Sequence, residues 1–116
     1  MTIKIKDVVN FINKLHIKLN KHNKSYDKIK NQYKTKKNFQ IDPVTKFDLA
    51  TEKLIRKEIN NNFRNHNIIG EEFNEQLNNS EYTWYIDPVD GTKSLIMDLP
   101  NWSNLIGLYK KNKCIL

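Results

Sequence analysis

Apolar and polar positions along the chain mark out two helical stretches followed by several short strands. From Asp7 onward, Val8, Ile12, Leu15, Leu19, Tyr26, Ile29 and Tyr33 recur at steps of three, four and seven, the spacing of one face of a long helix. The opposite face is Lys and Asn, and Asn23-Lys24-Ser25 is the weak point at which this helix is expected to break. Lys34 to Lys37 reads as a charged linker and Phe39-Gln40-Ile41 as a short extended segment. Asp42-Pro43 reads as a turn, with Asp42 extended because it precedes a proline. Thr45-Lys46-Phe47-Asp48 fits a capping box that opens a second helix. Leu49, Ala50, Leu54, Ile55, Ile59 and Phe63 carry that helix to about Phe63, with Glu52 and Arg56 as an i,i+4 pair on its exposed side.

The pattern then shortens. Ile68-Ile69-Gly70 is a short apolar strand followed by Glu71-Glu72, and residues 74–81 are a polar loop. Tyr82-Thr83-Trp84-Tyr85-Ile86 reads as a buried strand that Pro88 stops. Pro100-Asn101 breaks the chain after Leu95-Ile96-Met97. Leu105 to Tyr109 reads as another strand, Lys110 to Lys113 as a hairpin turn and Cys114-Ile115-Leu116 as the opening of its partner. A strand that opens without closing suggests the amino-terminal piece of a larger domain.

Composition narrows the class. At 116 residues the chain suffices for one small domain with a modest core. It has neither an apolar run long enough for a bilayer nor a signal-peptide apolar region, so the expectation is a soluble, cytoplasmic protein without a membrane partner. Cys114 is the only cysteine, which excludes an internal disulfide and a Cys-built zinc site. His16 and His22 have no third ligand nearby in sequence and read as satisfied or surface histidines. The net charge of +7 is uneven: residues 1–40 hold 11 Lys against two Asp, whereas residues 41–116 hold 9 basic and 11 acidic groups. A basic segment can mark a nucleic-acid-binding module. Here 17 Asn, and Arg only at Arg56 and Arg64, favour a solvated helix face, so no nucleic-acid partner is expected.

The candidate chemistry lies in the acidic part. Glu71-Glu72 follows one predicted strand, and Asp87 and Asp90 follow another. If these strands are neighbours in one sheet, their carboxyl ends converge and three or four carboxylates share a small volume. Two like charges ~4 Å apart repel by a few kcal/mol at a protein-like dielectric. Such a cluster binds cations, takes up protons or splays apart. Oxygen-only ligands suit a hard ion, Mg²⁺ before Ca²⁺. Gly91 and Thr92 would open the next helical turn, whose N–H groups favour a phosphate oxygen. A hard metal beside an anion cradle points to phosphoryl chemistry.

Three stretches in order carry a resemblance: Asp42-Pro43-Val44-Thr45-Lys46-Phe47-Asp48, Ile69-Gly70-Glu71-Glu72-Phe73, and Trp84-Tyr85-Ile86-Asp87-Pro88-Val89-Asp90-Gly91-Thr92-Lys93-Ser94. Together they resemble the inositol monophosphatase-like family of metal-dependent phosphatases. The resemblance implies an α+β fold: the amino-terminal part of a layered α-β-α-β-α domain, with long helices on a mostly antiparallel sheet. Residues 1–116 would be the amino-terminal portion of that single domain. It implies Glu71, Asp87, Asp90 and the Val89 carbonyl as Mg²⁺ ligands, and Glu72 as a water-mediated partner. Thr92, hydrogen-bonded to Asp48, would orient and help deprotonate the attacking water, and the Gly91 and Thr92 N–H groups would cradle phosphate. The activity implied is hydrolysis of a small phosphorylated metabolite by in-line attack of metal-activated water. The run Lys93-Ser94-Leu95-Ile96 with Pro100-Asn101-Trp102-Ser103-Asn104-Leu105-Ile106 is nearest the histidinol-phosphatase branch, which acts in histidine biosynthesis. Inositol-1-phosphate phosphatase and 3′(2′),5′-bisphosphate nucleotidase are the alternatives. The family's further metal-binding Asp, typically after a Trp, has no counterpart at Trp84 or Trp102. These 116 residues alone are therefore expected to have little activity, and a homodimer is left open for the full-length protein.

Overall fold

The computed structural model describes residues 2–32 and 41–116, with side chains over 2–28 and 46–116. Two helices, α1 (Ile5–Gln32) and α2 (Ile41–Asn62), precede β1 (Asn67–Gly70) and β2 (Tyr82–Asp90). A short helix, α3 (Thr92–Ile96), and the strands β3 (Ser103–Lys110) and β4 (Lys113–Cys114) follow. The sheet order is β1-β2-β3-β4; β1 runs parallel to β2, and the other pairs are antiparallel. This is the α+β arrangement of long helices on a mostly antiparallel sheet. No helix among the described residues is long and apolar enough to cross a membrane.

The helices cover one face of the sheet. Val8, Phe11, Leu15 and Leu19 of α1 meet Ile55 and Ile59 of α2, and both sets pack on Ile68, Tyr82, Trp84, Ile86 and Leu108. Alternate residues of a strand face opposite sides, so Tyr82, Trp84 and Ile86 are buried while Tyr85 is 44% exposed on the other face. Phe11, absent from the periodic series, lies in the core edge-on to Phe63 and Trp84, whereas Ile12 sits at its fringe. The buried indole of Trp84 donates to Nδ1 of His66 at 3.0 Å, which places the imidazole proton on Nε2. Burial holds His66 below its ordinary pKa. A second, smaller cluster of Tyr26, Phe47, Val89 and Leu95 lies towards α3.

Several boundaries depart from the sequence pattern. Helix α1 runs unbroken through Asn23-Lys24-Ser25: Ser25 Oγ donates to the His22 carbonyl within the helix, and Asn23 Nδ2 donates across to Asn104 Oδ1 at 2.8 Å. Helix α2 begins at Ile41, so Asp42-Pro43 is not a turn and Thr45 does not start the helix. Proline is tolerated in a first turn, where its missing N–H would have no intrahelical partner. Lys34–Lys37 and Phe39-Gln40 lie outside the described residues, as do Tyr33 and the Ile29 side chain. The later turns of α2 bury Ile55 and Ile59, with Phe63 just beyond them, as expected, but its earlier turns differ. Leu49 and Ala50 are exposed, and Thr51 and Glu52 are fully buried. His16 is exposed, and the half-buried His22 donates from Nε2 to Thr51 Oγ1, whose own proton goes to the Phe47 carbonyl.

Candidate active site

Strand β2 does not stop at Pro88. It continues to Asp90 through a bulge, pairing Asp87 with Leu105 and Asp90 with Ser103. Three steps along β2 are thus matched by two along β3. Proline has no N–H to give to a ladder, and the extra residue absorbs that gap. The Pro88 carbonyl instead accepts from Asn104 Nδ2 at 2.7 Å. In a regular strand, residues three apart face opposite sides. Because their partners Leu105 and Ser103 are two apart, Asp87 and Asp90 lie on the same side of the sheet. Val89 is turned into the smaller core.

The parallel pairing of β1 with β2 sets Gly70 opposite Ile86, so Glu71 arrives beside Asp87. The two carboxyls stand within hydrogen-bonding reach. Burial raises the Glu71 pKa, helped by Asp87, Glu72 and Glu52. Burial and then Asp90 raise that of Asp87, while hydrogen bonds from Glu71 and the Val89 backbone pull it down. Asp48, half-buried on α2, is pushed up to about 7, first by burial and then by Glu72, Asp87 and Glu71. The structure therefore gathers Asp48, Glu71, Glu72, Asp87 and Asp90 into one neighbourhood.

Two carboxyl oxygens, Asp48 Oδ1 and Asp87 Oδ1, are buried there without a hydrogen-bond partner. Buried acceptors of this kind call for a donor or a cation, and paired carboxyls in contact need a proton or a cation between them. The donor set is all oxygen, which fits a hard divalent ion. Among the described residues, however, no three His, Cys, Asp or Glu groups close into a ready-made cation cage.

Gly91 caps α3 with φ 86°, a left-handed conformation. A Cβ there would stand 2.9 Å from the Asn101 carbonyl oxygen, so both backbone and space require glycine. The Thr92 hydroxyl donates to the Val89 carbonyl at 3.4 Å, not to Asp48 as anticipated. Thr92 is exposed on the first turn of α3, and the carbonyl three residues back is its nearby acceptor.

The residue that pattern reading missed is Glu52. It is buried, not on the exposed side of α2. Its Oε1 accepts the backbone N–H groups of Glu71 (2.8 Å) and Glu72 (2.9 Å). Its Oε2 accepts those of Phe73 (3.1 Å) and Arg56 Nε (2.9 Å). Arg56 also donates to the Phe73 carbonyl at 3.2 Å. The available signal was the spacing: Glu52 follows Asp48 by four and so shares its helix face.

The profile of the inositol monophosphatase family matches residues 7–116. A protein of Aquifex aeolicus named fructose-1,6-bisphosphatase/inositol-1-monophosphatase is 37% identical over 75 residues, covering 65% of this chain and 28% of the relative. A histidinol-phosphatase of Chlorobaculum parvum is 41% identical over 66 residues, covering 57% of this chain and 26% of the relative. The chain thus spans little more than a quarter of the length of these relatives. The solved structure of inositol monophosphatase-II from Staphylococcus aureus superposes with a TM-score of 0.65 at 24% identity, covering 95% of this chain and 38% of that one, a likeness of fold.

Proposed function

Because the chain belongs to the inositol monophosphatase family, we propose that the protein is a phosphomonoester hydrolase that works with Mg²⁺. The observation that carries this reading is the acidic neighbourhood, in which the β2 bulge turns Asp87 and Asp90 to one side of the sheet beside Glu71. Glu71, Asp87, Asp90 and the Val89 carbonyl would hold the cation, with Glu72 behind them. A divalent cation supplies neutralisation of phosphoryl charge and acidification of water. The chain's own groups do the rest. Asp48 presents a buried, unpartnered oxygen that can take a proton from water. Thr92, at the head of α3, would orient that water, and the Gly91 and Thr92 N–H groups would donate to the phosphate.

Histidinol phosphate is the proposed substrate, supported by the Lys93–Ile106 pattern and the similarity to a histidinol-phosphatase. Inositol phosphate, suggested by the name of the Aquifex relative, and a 3′(2′),5′-bisphosphate nucleotide are the alternatives. The lysines of α1 are read as a solvated helix face and not a nucleic-acid surface, since the apolar face of α1 is packed and Lys18 pairs with Glu58 at 2.7 Å. The test is Mg²⁺-dependent phosphate release by the full-length protein from histidinol phosphate, inositol 1-phosphate and a 3′-phosphoadenosine nucleotide. Histidinol phosphate is expected to give the highest kcat/KM, and Asp90→Asn is expected to lose most of the turnover. Wild-type turnover in Asp90→Asn would overturn the ligand assignment.

A further inference from the structure

We propose that Glu52 is the positioning residue that shapes the Glu71-Glu72 turn and, through it, sets the cation affinity of the acidic site. The inference deepens the cation reading above and rests on it. Three successive backbone N–H groups, of Glu71, Glu72 and Phe73, converge on this one carboxylate. Successive amides that share an anion form a concave nest, and a nest holds its backbone only while the anion is there. With their N–H groups committed to Glu52, Glu71 comes beside Asp87 and Glu72 beside Asp48.

The carboxylate is itself held. Arg56 Nε fills its last acceptor position, offsets its charge and, through the bond to the Phe73 carbonyl, closes the far end of the turn. Gly70 leaves the room it needs, because a Cβ there would stand 2.5 Å from the Glu52 carboxyl atoms. Glu52 touches no reacting group. It acts on the site by fixing where the next acids point, and its charge adds a smaller push on the Glu71 carboxyl.

A merely structural buried ion pair would lower stability when broken and leave cation binding by the folded protein unchanged. The two roles separate in the full-length chain, measured without substrate by Mg²⁺ titration calorimetry and residue-resolved hydrogen exchange. In the wild type, the amides of Glu71, Glu72 and Phe73 should exchange slowly although the turn lies at the surface; fast exchange there overturns the proposal. Glu52→Gln places amide donors against Phe73 N–H and Arg56. It should release protection at Phe73 and reduce it at 71–72, where the amide oxygen still accepts, leave the helices and sheet protected, and weaken Mg²⁺ about 10–100-fold, the usual effect of losing a group that orients metal ligands. A folded Glu52→Gln with wild-type Mg²⁺ affinity overturns the proposal. If that variant does not fold, Gly70→Ala decides, since it displaces the carboxylate without altering any charge and should weaken Mg²⁺ in the same way. A wild type that binds no Mg²⁺ sinks the cation reading and the affinity claim with it, while exchange at 71–73 still reports separately whether Glu52 shapes the turn.

Discussion

Asp48 keeps its proton to about pH 7 because it is half-buried and faces Glu72, Asp87 and Glu71. Its ordinary value is 3.8, so between about pH 4 and pH 7 the folded protein holds a proton that the unfolded chain has released. Stability contributed by this group is complete below that window and is lost as pH rises through it. Asp48→Asn imitates the protonated form at every pH. In cation-free protein it should therefore match the wild type near pH 4 and unfold at a higher temperature at pH 8, by on the order of 5 °C. Thermal unfolding followed by circular dichroism at the two pH values checks this, and an equal effect at both would show that ionisation of the buried Asp48 carboxyl is not the cause. Asp48 could be singled out from sequence because a carboxylate in a motif is visible as such. Glu52 could not, because an i,i+4 Glu–Arg pair has the same spelling on a solvated face and in a core, and only packing tells them apart.

At the scale of the element, β2 carries the main correction. A proline inside an apolar run argues for the end of a strand, yet the ladder resumes at Asp90 after a bulge. Side-chain bonds from elsewhere brace the bulge: Asn23 on α1 donates to Asn104, and Asn104 donates to the Pro88 carbonyl. The two bonds form one relay from the first helix to the backbone between the two aspartates. Asn104→Ala should destabilise the protein by about 1–3 kcal/mol, since it leaves the Pro88 carbonyl and the Asn23 amide unpaired. Asn23→Ala added to it should cost little more, because the bond that Asn23 makes is already gone. Denaturant unfolding of the two single variants and the double variant measures the coupling; simple additivity would dissolve the relay. Neither bond was legible in sequence, as Asn104 stands 81 residues from Asn23 and 16 from Pro88.

For the molecule as a whole, α1 is not a basic appendage but a wall of the core. Phe11 packs edge-on against Phe63 and Trp84, so Phe11→Ala should cost about 3–5 kcal/mol. Ile17, 69% exposed on the same helix, should change stability by no more than about 0.5 kcal/mol when replaced by Ala. Equal costs for the two, measured by the same unfolding experiment, would mean that α1 does not pack as described. The sequence by itself determined the amphipathic helices, the apolar strands and the acids that follow them, because these are written in local spacing and in residue type. It also placed the acids on neighbouring strand ends, conditional on those strands pairing. Only the tertiary structure decided that β1 and β2 pair in parallel, that a bulge puts Asp87 and Asp90 on one side, and that Glu52 lies buried beneath the turn. Those outcomes depend on contacts between residues distant in the chain, whose energies no local pattern contains.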